Sequence, residues 1–336
     1  MTRLLIVRLG ALGDVVHALP VAAALRERWP DARIDWVVEA RHAPLLDLVP
    51  AVSRRIVLEP RRLTGESGWT GVARALRAAR YEAALDVQGL LKSALLARLS
   101  GAARVVGFAS GHLREPAATA LYTETVEPSP FRHVVDKNLG LLRALGITGA
   151  SRRFPLTLPE PGPAIAEATA SLGGPFVLLN GGAAWPNKRW PADRFGALAR
   201  RLGERHALPS LVLWGPGEQE LAASVVARAD GHARPAPPTT LADVLLLARA
   251  ARVMVSGDTG PLHLATAVGT PVVGIYGPTD PARNGPWADD DECVSRYPVC
   301  TCPFARRCRN PRWCLLDVSV EDVAAAAERR LARLAP

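Results

Sequence analysis

Short apolar runs alternate with amphipathic stretches along the whole chain. Runs such as LLIV at Leu4–Val7, apolar at every position, read as parallel strands buried on both faces, while spacings of three and four read as helices. The pattern predicts strands at Arg3–Arg8, Arg33–Val38, Arg54–Leu58, Ala83–Val87 and Arg104–Phe108, then at Phe176–Leu179, Leu211–Trp214, Ala251–Val255 and Val272–Tyr276. Helices are expected over Val15–Arg28, His42–Leu48, Trp69–Ala79, Leu90–Leu99, Val134–Leu145, Ala164–Leu172, Ala192–Leu202 and Leu241–Ala248. A further helix is opened by Pro261 and ended by Gly269, and a last one starts at Ser319, where Asp322 completes a capping box. Strand–helix alternation of this kind predicts an α/β protein with doubly wound parallel sheets.

At 336 residues the chain exceeds one ordinary core, and its 49% apolar content can fill two. The proline-dense PLTLPEPGP, 155–163, cannot continue a helix or a central strand and reads as the link between domains. The expected organisation is a first domain over 1–155, a linker at 156–163, a second domain over 164–318 and a terminal helix over 319–336.

The densest local instruction lies at Ser256–Trp287. A strand, the loop Gly257-Asp258-Thr259-Gly260 and a helix N-terminus together make an anion site, because first-turn N–H groups lack helical partners and the helix dipole is positive there. A phosphate or diphosphate is the natural guest, although the loop is neither a Walker A nor a GxGxxG motif. Asp258 or Thr259 could equally cap the helix. A second loop, Gly277-Pro278-Thr279-Asp280-Pro281, leaves the neighbouring strand on the same carboxyl-end side.

D-T-G-x-x-H-x-A-x-A-x-G-x-P followed by Y-G-P-T-D-P, Asp258 to Pro281, resembles the C-terminal motif of the lipopolysaccharide heptosyltransferases of glycosyltransferase family 9. R-x-G-A-x-G-D-V-x-H-x-L-P, Arg8 to Pro20, resembles their N-terminal motif, and Asp35-Trp36-Val37-Val38-Glu39 is similar to the type I enzymes. The resemblance implies the GT-B fold, two Rossmann-like doubly wound domains facing a cleft, and inverting transfer of L-glycero-D-manno-heptose from ADP-heptose to Kdo-lipid A. It also implies that the last helix packs back on the first domain. Pro261 and Leu262 stand where the family varies, which leaves sugar selectivity open.

Carried onto this chain, the resemblance makes Asp14 the general base, since an acceptor hydroxyl must lose its proton as it attacks the anomeric carbon. Taken alone, Asp14 reads as either a helix cap or a carboxylate aimed into a cleft. Lys188, in the Gly-rich loop after Phe176–Leu179, matches a lysine expected on the donor's phosphates, with Glu218 near its nucleoside. Thr239, Asp258, Thr259, Gly260 and His263 complete the expected donor set. Gly13 and the cations Arg61, Arg62, Arg114, Arg132, His133 and Lys137 make the expected acceptor set, facing phosphate and Kdo carboxylates. Gln88 could hydrogen-bond a sugar or cap the following helix. Cations and helix dipoles are expected to stabilise the leaving diphosphate, with no metal and no other cofactor.

A formal charge of +9 and a pI near 9.9 call for an acidic partner. Without an RNP motif, zinc-finger spacing or basic tail, nucleic acid is not favoured. The N-terminal apolar run, Leu4–Val7, is too short for a signal peptide or a span, so a cytoplasmic protein is expected; the resemblance, with its lipid acceptor, implies peripheral contact with the cytoplasmic face of the inner membrane. Cys293, Cys300, Cys302, Cys308 and Cys314 lie within 22 positions but not in paired CxxC spacing; a reduced packed cluster, a structural metal or a disulfide all fit. Three rival readings remain: a family 9 enzyme for the second heptose or another sugar, a nucleotide-sugar epimerase of related architecture, and a non-catalytic binder of anionic lipid.

Overall fold

The computed structural model describes residues 1–127, 133–310 and 312–334. Two compact units divide the chain, Met1–Thr157 and Leu158–Pro336, with the boundary inside the proline-dense stretch. In the first unit β1 (Arg3–Val7), α1 (Leu12–Val16), α2 (Leu19–Arg28), β2 (Arg33–Glu39), α3 (Ala43–Leu46), β3 (Arg54–Leu58) and α4 (Trp69–Ala79) are followed by β4 (Ala83–Asp86), α5 (Leu91–Leu99), β5 (Arg104–Phe108), β6 (Glu124–Val126) and α6 (Val134–Gly140). The second unit opens with α7 (Pro163–Ala170), β7 (Val177–Asn180), α8 (Ala192–His206), β8 (Ser210–Leu213), α9 (Gln219–Ala227) and β9 (Ala233–Pro235). It continues with α10 (Leu241–Ala250), β10 (Val253–Gly257), α11 (Gly260–Ala267), β11 (Val272–Tyr276), α12 (Pro281–Asn284), β12 (Glu292–Ser295) and α13 (Val320–Ala332).

Each unit holds one six-stranded parallel sheet, ordered β3-β2-β1-β4-β5-β6 in the first and β12-β11-β10-β7-β8-β9 in the second. Renumbered within its own unit, the second sheet has the same 3-2-1-4-5-6 order as the first. Central strands are buried throughout: Leu4 to Val7 and Val253 to Val255 are wholly enclosed. Burying each such leucine or valine contributes about 1.5–3 kcal/mol, which outweighs a short strand's weak intrinsic preference. Leu5, Val7, Val37, Ala84 and Leu96 anchor the first core; Val177, Leu179, Phe195, Val255 and Val273 anchor the second.

Two expectations are corrected. The helix expected over Val15–Arg28 is two helices, because Pro20 has no N–H to give and its ring displaces a preceding turn; it sits instead in the first turn of α2. The last helix, capped by Ser319 and Asp322 as expected, belongs to the second unit. Val323, Ala324, Ala326 and Ala327 of α13 enter that unit's core, beside α8, β11 and β12. Arg330 to Asp291 at 2.9 Å and Arg201 to Glu328 at 3.2 Å pin the same face.

Candidate active site

A sheet of this order reverses direction between its first and fourth strands, and the crevice outside the carboxyl ends at that point is where such folds take ligands. In the first unit it lies between β1 and β4. The buried Arg8 guanidinium donates to the Val87 carbonyl at 2.9 Å and sits 2.7 Å from Asp14 Oδ2. Gln88 Oε1 accepts the Leu9 N–H at 2.8 Å, so Gln88 neither caps α5 nor stands free; it ties the two strand ends together.

Asp14 is not the N-cap of α1. That helix starts at Leu12, and Asp14, in its first turn, takes the Ala11 N–H at 3.2 Å on the same Oδ2 that meets Arg8. Among the described residues Oδ1 has no protein partner, and the side chain is 37% exposed. A carboxylate held by one oxygen with the other facing solvent has the geometry of a general base.

Sequence reasoning missed the charged ring around this loop. Glu39, at the end of β2, meets Arg41 at 3.1 Å and Lys92 at 3.2 Å. His42 is buried against Gly10, where a Cβ would stand 2.8 Å from its Nε2, and that nitrogen has no hydrogen-bond partner. Burial, helped by the charge of Arg41, pushes the His42 pKa down to about 4. The signal was the charged string Glu39-Ala40-Arg41-His42 directly after a strand.

The expected acceptor cations divide. Arg61 and Arg62 are exposed in the loop after β3, with Arg62 on Glu59 at 2.8 Å, and Arg114 is exposed after β5. Lys137 donates to the His112 carbonyl at 2.7 Å and lies 4.5 Å over the Phe108 ring. His133 is not a surface cation: it is buried, and its Nδ1 accepts the Val135 N–H at 3.2 Å to cap α6. Gly13 lies in the first turn of α1, its carbonyl taken by the His17 N–H. Arg132 lies outside the described residues. Because the strands are parallel, the loops after β1, β3 and β5 share one edge of the sheet, but no hydrogen bond or ion pair among the described residues joins Arg61, Arg62 or Arg114 to Asp14.

In the second unit the reversal falls between β7 and β10. Asn180, closing β7, donates to Ser256 Oγ at 3.0 Å and Thr259 Oγ1 at 3.1 Å. Thr259 occupies the N-cap position of α11 in extended conformation, yet its hydroxyl makes no capping bond. Asp258 does not cap the helix either. Its side chain is 3% exposed and turned inward: Oδ1 accepts from Asn284 at 2.9 Å and meets His263 Nε2 at 3.1 Å, while Oδ2 accepts from Thr279 at 2.6 Å and from Lys188. Burial alone would raise this carboxyl's pKa, but the His263 hydrogen bond and the Lys188 charge outweigh it and hold it well below the ordinary carboxylate range.

The N-terminus of α11, opened by Gly260, is therefore left uncapped by side chains, with a cation beside it. Lys188 Nζ also reaches the Asp258 carbonyl at 3.3 Å and stacks 4.6 Å from the Trp185 ring. Glu218 follows β8 and packs over Gly182, where a Cβ would come within 2.1 Å of its carboxylate. It accepts the Gly215 N–H at 3.0 Å and faces Arg189 at 3.7 Å. Thr239 precedes Thr240, the N-cap of α10, and no bond among the described residues links it to Lys188 or Asp258. The second loop of the motif supplies the clamp on Asp258, while its Asp280 caps α12.

All five cysteines are free thiols, with Cys302 Sγ 3.1 Å from Cys308 Sγ. Burial first, then neighbouring thiols, pushes Cys314 up to about 12. Among the described residues no group of three or more metal-ligating side chains converges.

Two Rossmann-like units, one presenting a half-exposed carboxylate and the other an uncapped helix N-terminus beside a lysine, define a GT-B glycosyltransferase fold. The model of glycosyltransferase family 9 (heptosyltransferase) matches residues 69–314. Lipopolysaccharide heptosyltransferase 1 of Pseudomonas aeruginosa is 31% identical over 309 residues, 89% of this chain and 86% of that protein. The chain belongs to glycosyltransferase family 9. Among solved structures, a family 9 glycosyl transferase from Veillonella parvula superposes with a TM-score of 0.80 at 22% identity, covering 99% of this chain and 97% of its own. The E. coli heptosyltransferase WaaC with ADP superposes with a TM-score of 0.78 at 24% identity, covering 98% and 100%.

Proposed function

We propose that this glycosyltransferase moves L-glycero-D-manno-heptose from ADP-heptose to a Kdo-lipid A, as a type I lipopolysaccharide heptosyltransferase acting at the cytoplasmic face of the inner membrane. The observation that carries the reading is the N-terminus of α11, uncapped and flanked by Lys188, which suits a diphosphate. The 31% identity to the Pseudomonas enzyme supports the choice of sugar and acceptor.

In this reading the second unit binds the donor. First-turn N–H groups of α11 and the Lys188 ammonium take up the charge that develops on the diphosphate as the glycosidic bond breaks, without a metal ion. Asp258 has no lone pair to spare for a strong ligand bond and instead positions Lys188 and His263. Glu218 addresses the ribose hydroxyls. In the first unit Asp14 Oδ1 removes the acceptor hydroxyl proton while Arg8 holds Oδ2, and the attack inverts the anomeric centre.

The test is turnover of ADP-heptose with Kdo-lipid A in a chelating buffer, followed by nucleotide release and product mass, for the native chain and Asp14→Ala. The native chain adds one heptose, and the variant loses about 10²–10⁴ in kcat. Equal activity in the variant removes Asp14 as base. Transfer only to an acceptor that already bears a heptose moves the chain to the second step.

A further inference from the structure

The cysteine-rich loop of the second unit has no part in the transfer reaction, yet it leans on both segments that hold Asp258. Cys302 and Cys308 bracket Pro303-Phe304-Ala305-Arg306-Arg307, and their sulfurs stand 3.1 Å apart with both residues half-buried. A small rotation about the side-chain bonds closes that gap to a covalent bond. Cys314 is a weaker candidate: burial first, then Cys300, pushes its thiol up to about 12, and a thiol that keeps its proton is a poor nucleophile.

The bracketed residues form a bridge. The Phe304 N–H donates to the Pro278 carbonyl at 2.8 Å, and the Ala305 carbonyl accepts from Asn187 Nδ2 at 3.0 Å. Pro278 precedes Thr279 and Asn187 precedes Lys188, so the bridge spans the two segments whose side chains meet on Asp258 Oδ2. Phe304 holds φ at +58°, a left-handed conformation that suits glycine and that a phenylalanine keeps only where its surroundings impose it. Its side chain is 48% exposed, with Tyr297 at 6.1 Å and the Arg283 guanidinium at 6.0 Å, so packing contributes little to holding the turn down.

We propose that Cys302 and Cys308 form a reversible disulfide that locks this bridge onto the loops carrying Lys188 and Thr279. The oxidant is an external low-molecular-weight disulfide. One cysteine, as thiolate, attacks it and releases one external thiol; the other cysteine then displaces the second external thiol from the mixed disulfide. The chain gives up two protons and two electrons as its S–S bond forms, and the external disulfide takes them up as two thiols. Cross-linking removes freedom from the unseated loop, so the seated form gains. A seated bridge fixes the Lys188 segment and tightens binding of a nucleoside diphosphate, a consequence that rests on the donor-site reading above.

Peptide mapping by mass spectrometry after incubation with oxidised glutathione tests the bond. Hydrogen exchange and ADP titration of the reduced and oxidised full chain test its effect. The expected product is a Cys302–Cys308 cross-link that dithiothreitol reverses, formed also by Cys293→Ser and absent from Cys302→Ser and Cys308→Ser. In the oxidised native chain the Phe304 amide exchanges about tenfold more slowly and ADP binds about fivefold more tightly. Cys302→Ser and Cys308→Ser show neither change. The proposal is overturned if glutathione stays attached to single cysteines, if another pair closes instead, or if metal analysis finds a bound transition-metal ion that shields these thiols. It is equally overturned if the cross-link forms while the Phe304 amide exchanges as before, or if ADP binds both states equally. The cross-link and the exchange are read without nucleotide, so a chain that binds ADP in neither state counts against the donor-site reading, while exchange still decides this one.

Discussion

The two units share one strand order and one reversal point, yet they use it in opposite ways. In the first, the loop after β1 presents a carboxylate that is 37% exposed and bonded through one oxygen; in the second, the loop after β10 hides a carboxylate that is 3% exposed and bonded through both. The parallel extends to the loop after each unit's first strand, where a glycine packs against the side chain that follows the second strand. Gly10 lies against His42, and Gly182 against Glu218. Identical topology supplies the crevice, and the side chains decide whether a charge there is offered to a substrate or spent on the scaffold. Asp14 is cheap to hold and free to react, whereas Asp258 is the fixed centre that orders its neighbours.

Replacing each aspartate is the strongest way to break that comparison. Asp258→Ala leaves the Lys188 charge without its buried partner and strips acceptors from Thr279, Asn284 and His263, which should cost about 3–5 kcal/mol. Asp14→Ala should cost less, about 1–2 kcal/mol, because this carboxylate is partly exposed and the buried Arg8 guanidinium keeps the Val87 carbonyl as a partner. Urea titrations of the two variants read the difference directly. Comparable losses would mean that the exposed carboxylate is as structural as the buried one.

Much of this division was legible in the amino-acid sequence. Apolar runs located the inner strands β1, β5 and β11, because parallel strands buried on both faces need no alternation, and Ile56–Leu58 marked β3 although it lies at an edge. Three strands left no such trace: Glu124–Val126, Ala233–Pro235 and Glu292–Ser295, each at a sheet edge, short and partly exposed. An edge strand is held by its one neighbour's hydrogen bonds more than by its own side chains, so its pattern is weak. Lys188 and Glu218 sit in the loops expected of them, whereas Asp14 lies inside the first turn of α1 and not in the loop before it. The inward turn of Asp258 was invisible, since its four partners come from positions 188, 263, 279 and 284, which only the fold assembles. His133 misled for a similar reason: a histidine between cations reads as surface until the helix it caps is seen.

The paired glycines sharpen the comparison at smaller scale. An added methyl at Gly182 meets the flexible end of Glu218, which can swing aside, so Gly182→Ala should barely change stability while displacing the carboxylate from the nucleoside position. The expected result is a rise of about tenfold in donor KM with acceptor KM unchanged, the scale of one lost hydrogen bond to a charged group. At Gly10 the methyl meets the His42 ring, which is buried and has no room to retreat. Gly10→Ala should therefore lower stability, by about 1–3 kcal/mol, as overpacking does. Steady-state kinetics and urea midpoints on both variants separate the effects; an unchanged donor KM in Gly182→Ala would cancel the assignment of nucleoside binding to Glu218.

Acid separates the units by the smallest margin. His42 is neutral in the fold because burial lowers its pKa to about 4, while in the unfolded chain it titrates near ~6.5. Between those values the unfolded state binds more protons, so this contribution is complete above about pH 6.5 and is lost as pH falls toward 4. Asp258 has the same sign of dependence in a lower window: its depressed pKa keeps its contribution intact until pH drops below the ordinary carboxylate range, about 4. Lowering pH from 7 to 5 should thus weaken the first unit by roughly 1–2 kcal/mol through His42 and leave the Asp258 centre untouched. The His42→Gln variant isolates the effect, since the buried Asp86, whose carboxyl burial raises, is present in both chains. Urea midpoints at the two pH values should differ less for His42→Gln than for the native chain. An equal pH dependence in the two would show that the His42 ring takes up its proton inside the fold without penalty, and the contrast between a proton-sensitive first crevice and an acid-resistant second one would disappear.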